Sequence, residues 1–252
     1  MKPELFCHPG GPGFDGSELG DLGGLDATRT LVLIDPRGTK TPADSFTLDD
    51  YVADLEALRG DRETIDLLGF SHGGLVAAAY AIAHPERVRK LVLASALAAL
   101  TPEMQEEAGR VIASKAGEPW HADAVAALER EERGDFETPE EMAAMWNAMA
   151  PIYFWRWDER YRPSVEVEAL PVQPLKDFNA TPFDLRDGLG DIRADTLAIT
   201  GVDDFICGPA AAQVFADGIP RCEVVLLENA GHFTFLEQPA AFVEAVEAFF
   251  SR

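Results

Sequence analysis

Short apolar runs alternate along this chain with stretches of helical periodicity, and that alternation predicts a parallel sheet with helices on both faces. Leu5 to Cys7 make the first run, followed by the glycine-rich HPGGPG. TLVLIDPRG, Thr30 to Gly38, reads as a buried strand ending in a turn. Thr47 is placed as the N-cap of a helix through Arg59, with Leu48, Tyr51, Val52, Leu55 and Leu58 on one face. TIDLLGFSHGG runs from strand into turn, and Leu75 to Ala83 suits a helix buried against a sheet, ended by His84-Pro85. Lys90 to Ser95 is the next strand.

The pattern changes after Leu97. Up to Asp187 no strand is evident, and Pro102 to Lys115, Trp120 to Arg133 and Pro139 to Trp157 read as helices. Strand character returns at Thr196 to Gly201 and Cys222 to Leu227, and Gln238 to Phe250 closes the chain as an amphipathic helix. The predicted organisation is an α/β core in two parts, residues 1–96 and 188–252, interrupted by a helical cap over 97–187. Such an insertion sits above the carboxyl ends of the strands, where α/β sheets bind ligands.

Composition narrows this picture. The 252 residues are 47% apolar and 26% charged, which fits one α/β domain with a sizeable core. Twenty-one Lys+Arg against forty-four Asp+Glu give a net charge of −23. That charge repels phosphate backbones and anionic lipid, so neither nucleic acid nor a membrane is expected as a partner. Cys7, Cys207 and Cys222 give no disulfide framework and no zinc-ligand spacing. Cys7 and Cys222 fall on strands and read as packing residues, whereas Cys207 would be reactive if exposed. The opening MKPELFCHPGG lacks the apolar core of a signal peptide, and Leu91 to Leu100 falls short of the roughly 20 residues a membrane span needs. A cytoplasmic protein without cofactor or metal is the expectation.

Gly69-Phe70-Ser71-His72-Gly73 matches G-x-S-x-G between a strand and a helix. That turn lifts a serine hydroxyl out of the sheet at a helix N-terminus. A serine nucleophile needs a base, and the base an orienting acid, here in the chain order Ser, Asp or Glu, His. His232 follows the last strand and is taken as the base, in preference to His8, His72, His84 and His121. Asp204 follows the strand at Thr196 to Gly201 and is taken as the acid, with Asp203 as the alternative. The amide of His72 and that of Gly11, or else Gly10, are the candidate oxyanion-hole donors.

HPGGPG, DPRG, GFSHGG, HPERV, GVDD and NAGHFTFLEQP together resemble the α/β-hydrolase superfamily, over Leu5 to about Leu97 and Asp195 to Phe250. The first loop is most similar to that of the proline iminopeptidase group. The resemblance implies an α/β-hydrolase fold and removal of N-terminal residues from peptides through Ser71, Asp204 and His232, under a helical cap. It departs at the N-terminus, where the usual hairpin is absent, and the unpaired sheet edge suggests a homodimer. An iminopeptidase must hold a protonated N-terminus. Asp158 and Glu159, which follow Trp155 and Trp157 in the aromatic stretch Tyr153 to Tyr161, are the candidate carboxylates, but a solvated or Arg-paired role is the preferred reading of them. Met142, Met145 and Met149 are spaced for packing rather than for a pocket. The expected substrate is a short peptide or small amide. A carboxylesterase or lactonase with the same three residues is the alternative; C–C bond hydrolysis, acyl transfer and non-catalytic ligand binding are further ones.

Overall fold

The structure is a computed structural model and describes residues 2–252. Six strands form one sheet: β1 (Glu4–His8), β2 (Thr30–Leu33), β3 (Ile65–Phe70), β4 (Val88–Ala94), β5 (Asp195–Gly201) and β6 (Cys222–Leu227). Their order across the sheet is β2-β1-β3-β4-β5-β6, and every neighbouring pair is parallel. Parallel neighbours require crossovers. The α-helices of the described residues are α1 (Leu48–Arg59), α2 (His72–Ala83), α3 (Pro102–Ser114), α4 (His121–Arg133), α5 (Pro139–Met149), the single turn α6 (Arg162–Val165), α7 (Val172–Ala180), α8 (Pro209–Gly218), the single turn α9 (Thr234–Glu237) and α10 (Pro239–Phe250).

Successive strand residues point to opposite faces, so the sheet carries two cores. Phe6, Leu67 and Leu91 pack with Tyr51 of α1, Tyr80 of α2 and Phe215 of α8 on one face. Leu5, Leu68 and Val92 pack on the other with Phe242, Val246 and Phe249 of α10. Covering both faces is why β3 and β4 read as apolar runs without a clean alternation. Thr47 caps α1 as the sequence predicts. Its hydroxyl accepts from the Asp50 N–H at 3.2 Å while the Asp50 carboxylate accepts from the Thr47 N–H at 3.0 Å.

The structure differs from the sequence pattern in several places. The strand expected as buried over Thr30 to Gly38 covers only Thr30–Leu33 and lies at the sheet edge, with Leu33 38% exposed. Pro36 ends it, since proline offers no N–H to a ladder. Among the described residues no hairpin flanks this edge. The helix expected over Pro139 to Trp157 stops at Met149 and passes into a 3-10 turn, Ala150–Tyr153. Pro151 cannot donate the next helical hydrogen bond, and the Ile152 and Phe154 carbonyls accept from Lys115 Nζ instead. Helices α7 and α8 fall outside the elements the sequence pattern predicts. Both hold a proline in the first turn, which a helix tolerates there. Between β4 and β5 the chain forms α3 to α7 and no strand.

Candidate active site

Ser71 joins β3 to α2 with φ 53° and ψ −120°. Positive φ is costly for a residue with a Cβ and persists only where the surroundings enforce it. Here they do. A Cβ at Gly69 would lie 2.2 Å from the Gly73 carbonyl oxygen, and one at Gly73 would lie 2.3 Å from that of Pro9. The two glycines of G-x-S-x-G are therefore required by close approach of backbone. The Ser71 N–H donates to the Ala94 carbonyl at 3.0 Å, tying the turn to β4.

Asp204 follows β5 and is fully buried. Its Oδ1 accepts from the N–H groups of Ile206 and Cys207, each at 3.0 Å, and its Oδ2 lies 2.8 Å from Nδ1 of His232. Burial pushes the carboxyl up, but the His232 ring and the two amides more than reverse it and hold the group below the usual carboxylate range. An ionised carboxylate only accepts, so Nδ1 carries a proton, and in the neutral ring Nε2 is then the nitrogen with the lone pair. Asp203 bonds Ala230 through its backbone, and its side chain makes no hydrogen bond to the ring. The backbone of His232 is fixed as well. Its N–H donates to the Tyr153 carbonyl at 2.6 Å, and its carbonyl accepts from the Ser95 hydroxyl at 2.8 Å. Ser95 itself has φ 44°.

Ser71 and His232 open on one cavity of about 760 Å³. No hydrogen bond joins the Ser71 hydroxyl to the His232 ring among the described residues, a looseness common in unliganded sites. Gly11 lines the same cavity. The neighbouring Gly10 amide donates to the Glu18 carboxylate at 2.6 Å, so it is already engaged and Gly11 is left to face a ligand. The His72 amide opens α2, while its side chain turns away to pack against Tyr51 and Phe178 at ring distances of 5.1 and 5.3 Å.

The aromatic-flanked acids fall elsewhere. Asp158 and Glu159 are exposed, pair with Arg160 and Arg162, and do not line the cavity; nor do Trp155 and Trp157. Helix α5 ends too early to carry that stretch inward. The cavity's carboxyls are instead Glu18, Glu131 and Glu132. Burial pushes Glu18 up to about 8, against the Gly10 amide, and Glu131 up to about 7, with Glu132 adding to the rise. Nothing local in the sequence marks Glu131 among the acids of α4. Met142, Met145 and Met149 are buried as their spacing predicts, yet they also form cavity wall. Cys207 is buried and its thiol is pushed far up by that burial, so it is not reactive.

A model of the alpha/beta hydrolase family matches residues 5–245. The chain belongs to that family. It is 28% identical to a proline iminopeptidase of Levilactobacillus brevis, over 96% of this chain and 86% of that one. Among solved structures it is similar to a proline iminopeptidase of Mycobacterium smegmatis, with 25% identity, TM-score 0.67 and coverage of 99% and 89%. It shares the fold of an esterase from Exiguobacterium antarcticum, with TM-score 0.75, 20% identity and coverage of 100% and 93%. This α/β hydrolase is thus an enzyme of the hydrolase class. No helix among its described residues is long and apolar enough to cross a membrane.

Proposed function

We propose that this hydrolase acts through Ser71, Asp204 and His232, and that its substrates are proline iminopeptidase-like: short peptides or small amides with a free amino terminus. Nε2 of His232 takes the Ser71 proton as Oγ attacks the carbonyl carbon. Asp204 stabilises the imidazolium, and the Gly11 and His72 amides receive the oxyanion. His232 then gives its proton to the leaving amine, which departs and leaves an acyl-enzyme. Water, deprotonated by His232, attacks the acyl carbon; the proton returns to Oγ and the free acid leaves.

The observation that carries the substrate reading is Glu131. It sits on α4 in the wall of the cavity that holds Ser71, with no ion pair or side-chain hydrogen bond among the described residues. A half-buried carboxyl without a cation suits an ammonium ligand. Residues 97–187 would then act as a cap that supplies this group. A second reading, carboxylesterase or lactonase, draws on the apolar lining of Met104, Met145, Trp146, Phe178 and Phe205.

Rates on a proline arylamide and on short aryl esters separate the two. Amide cleavage should occur and Ser71→Ala should abolish it. Glu131→Gln should raise KM for the amide about tenfold, about 1.4 kcal/mol, with ester kinetics within about twofold. Cleavage of esters alone would remove the peptidase reading and leave the nucleophile in place.

A further inference from the structure

His232 sits on a loop, and the partners of that loop lie far away in sequence. The turn at residues 150–156, just after α5, crosses directly over it. A Cβ at Gly231 would lie 2.3 Å from the Tyr153 carbonyl oxygen and 2.8 Å from the Trp155 nitrogen, so the two backbones are in contact. Two charged side chains bind this crossing. The Glu237 carboxylate accepts from the Gly231 N–H at 2.6 Å, from the Trp155 N–H at 3.1 Å and from the Arg156 N–H at 3.3 Å. One side chain thus joins the residue before His232 to the crossing turn. From the other side, the buried Lys115 at the end of α3 donates to the Ile152 carbonyl at 2.8 Å and to the Phe154 carbonyl. Tyr153 lies between those carbonyls, and its own carbonyl holds the His232 N–H at 2.6 Å.

We infer that Lys115 and Glu237 are positioning residues: they clamp the 150–156 turn onto the His232 loop, and so let the segment between β4 and β5 fix the place of the base. The inference rests on the proposed role of His232.

The energetics favour a device over incidental packing. A buried ammonium and a largely buried carboxylate are expensive to remove from water. Burial lowers the Lys115 ammonium and raises the Glu237 carboxyl from their ordinary values. Neither meets the other in an ion pair among the described residues. Both spend their hydrogen bonds on backbone groups within the crossing, which an apolar side chain could not align. The clamp also sets the Tyr153 ring against the His232 ring, at 5.3 Å between centroids, on the cavity side. Loss of either clamp would leave Ser71 and Asp204 in place and let the ring of His232 drift.

The test is the pH profile of Ser71 phosphonylation by a fluorophosphonate, read by intact mass, in the wild type, Lys115→Met, Glu237→Ala and Glu237→Gln. In the wild type the rate is read on its high-pH plateau. Lys115→Met and Glu237→Ala should lower that plateau by about tenfold or more, with circular dichroism showing folded protein. Glu237→Gln, which keeps one acceptor oxygen, should fall between them and the wild type. If Glu237→Ala does not fold, Glu237→Gln and Lys115→Met carry the test. Folded variants whose plateau and pH midpoint match the wild type would show the two residues to be structural only and overturn the inference. Equal labelling of Ser71→Ala would instead remove the nucleophile assignment on which it rests.

Discussion

Asp203 and Asp204 are adjacent in sequence, and only the second reaches His232. The difference follows from the turn after β5, which points one carboxylate inward to two amides and the ring and leaves the other without a side-chain hydrogen bond among the described residues. Asp204→Asn keeps the shape but favours the wrong ring tautomer, and should lower kcat on the order of 10⁴-fold. Asp203→Asn should change kcat by no more than a few-fold, and steady-state rates on any cleaved substrate check both. Ser71, His232 and the Asp203-Asp204 pair are legible in the sequence because each is marked by neighbours within a few positions. Glu18, Ser95, Lys115, Glu131 and Glu237 are not, since their partners or the cavity they face come from distant segments. Gly10 and Glu18 are bound across eight positions, and Ser95 and His232 across 137.

At the scale of elements, the junction of β3 and α2 is tightly constrained backbone. Gly73→Ala would place a methyl group 2.3 Å from the Pro9 carbonyl oxygen and 2.5 Å from that of His8. The β1 loop cannot yield without moving Gly11. The variant should therefore lose at least about 2 kcal/mol in urea unfolding, together with most of its activity. Full stability in Gly73→Ala would mean that the elbow is looser than this geometry requires. The core elements are legible because short apolar runs bounded by turn residues mark the strands, as in β3, and a capped apolar face marks the helices, as in α1. The segment from 150 to 180 is not. Its turns are set by Pro151, by Lys115 and by the helix ends that meet there, and no periodic pattern records such contacts.

Across the whole molecule, the buried titratable groups shape stability against pH. His8 and His72 are held down to about 4 and about 3 by burial, below their ordinary 6.5. The unfolded chain binds more protons there, so their contribution grows as pH rises towards 6.5. Glu131 and Glu18 act in the opposite sense. Raised from an ordinary 4.5 to about 7 and about 8, they add stability that is fully present below 4.5 and lost as pH climbs through those values. Above pH 6.5 only the carboxyl effect remains of the two. The melting temperature should accordingly fall between pH 6.5 and 8.5, and Glu18→Gln with Glu131→Gln should flatten that decline. A wild-type curve that rises over this range would contradict the placement of these two carboxyls. With a net charge of −23 the protein also repels itself, so such melts belong at fixed ionic strength.

The proposed chemistry turns on Ser71 as a nucleophile activated by His232. Peptide mapping after exposure to a fluorophosphonate tests it most directly, in the wild type, Ser71→Ala and His232→Ala. One adduct should form, on Ser71, absent from Ser71→Ala and formed at least about 10³-fold more slowly in folded His232→Ala. An adduct on another residue, or one formed on Ser71 at the same rate without His232, would contradict it.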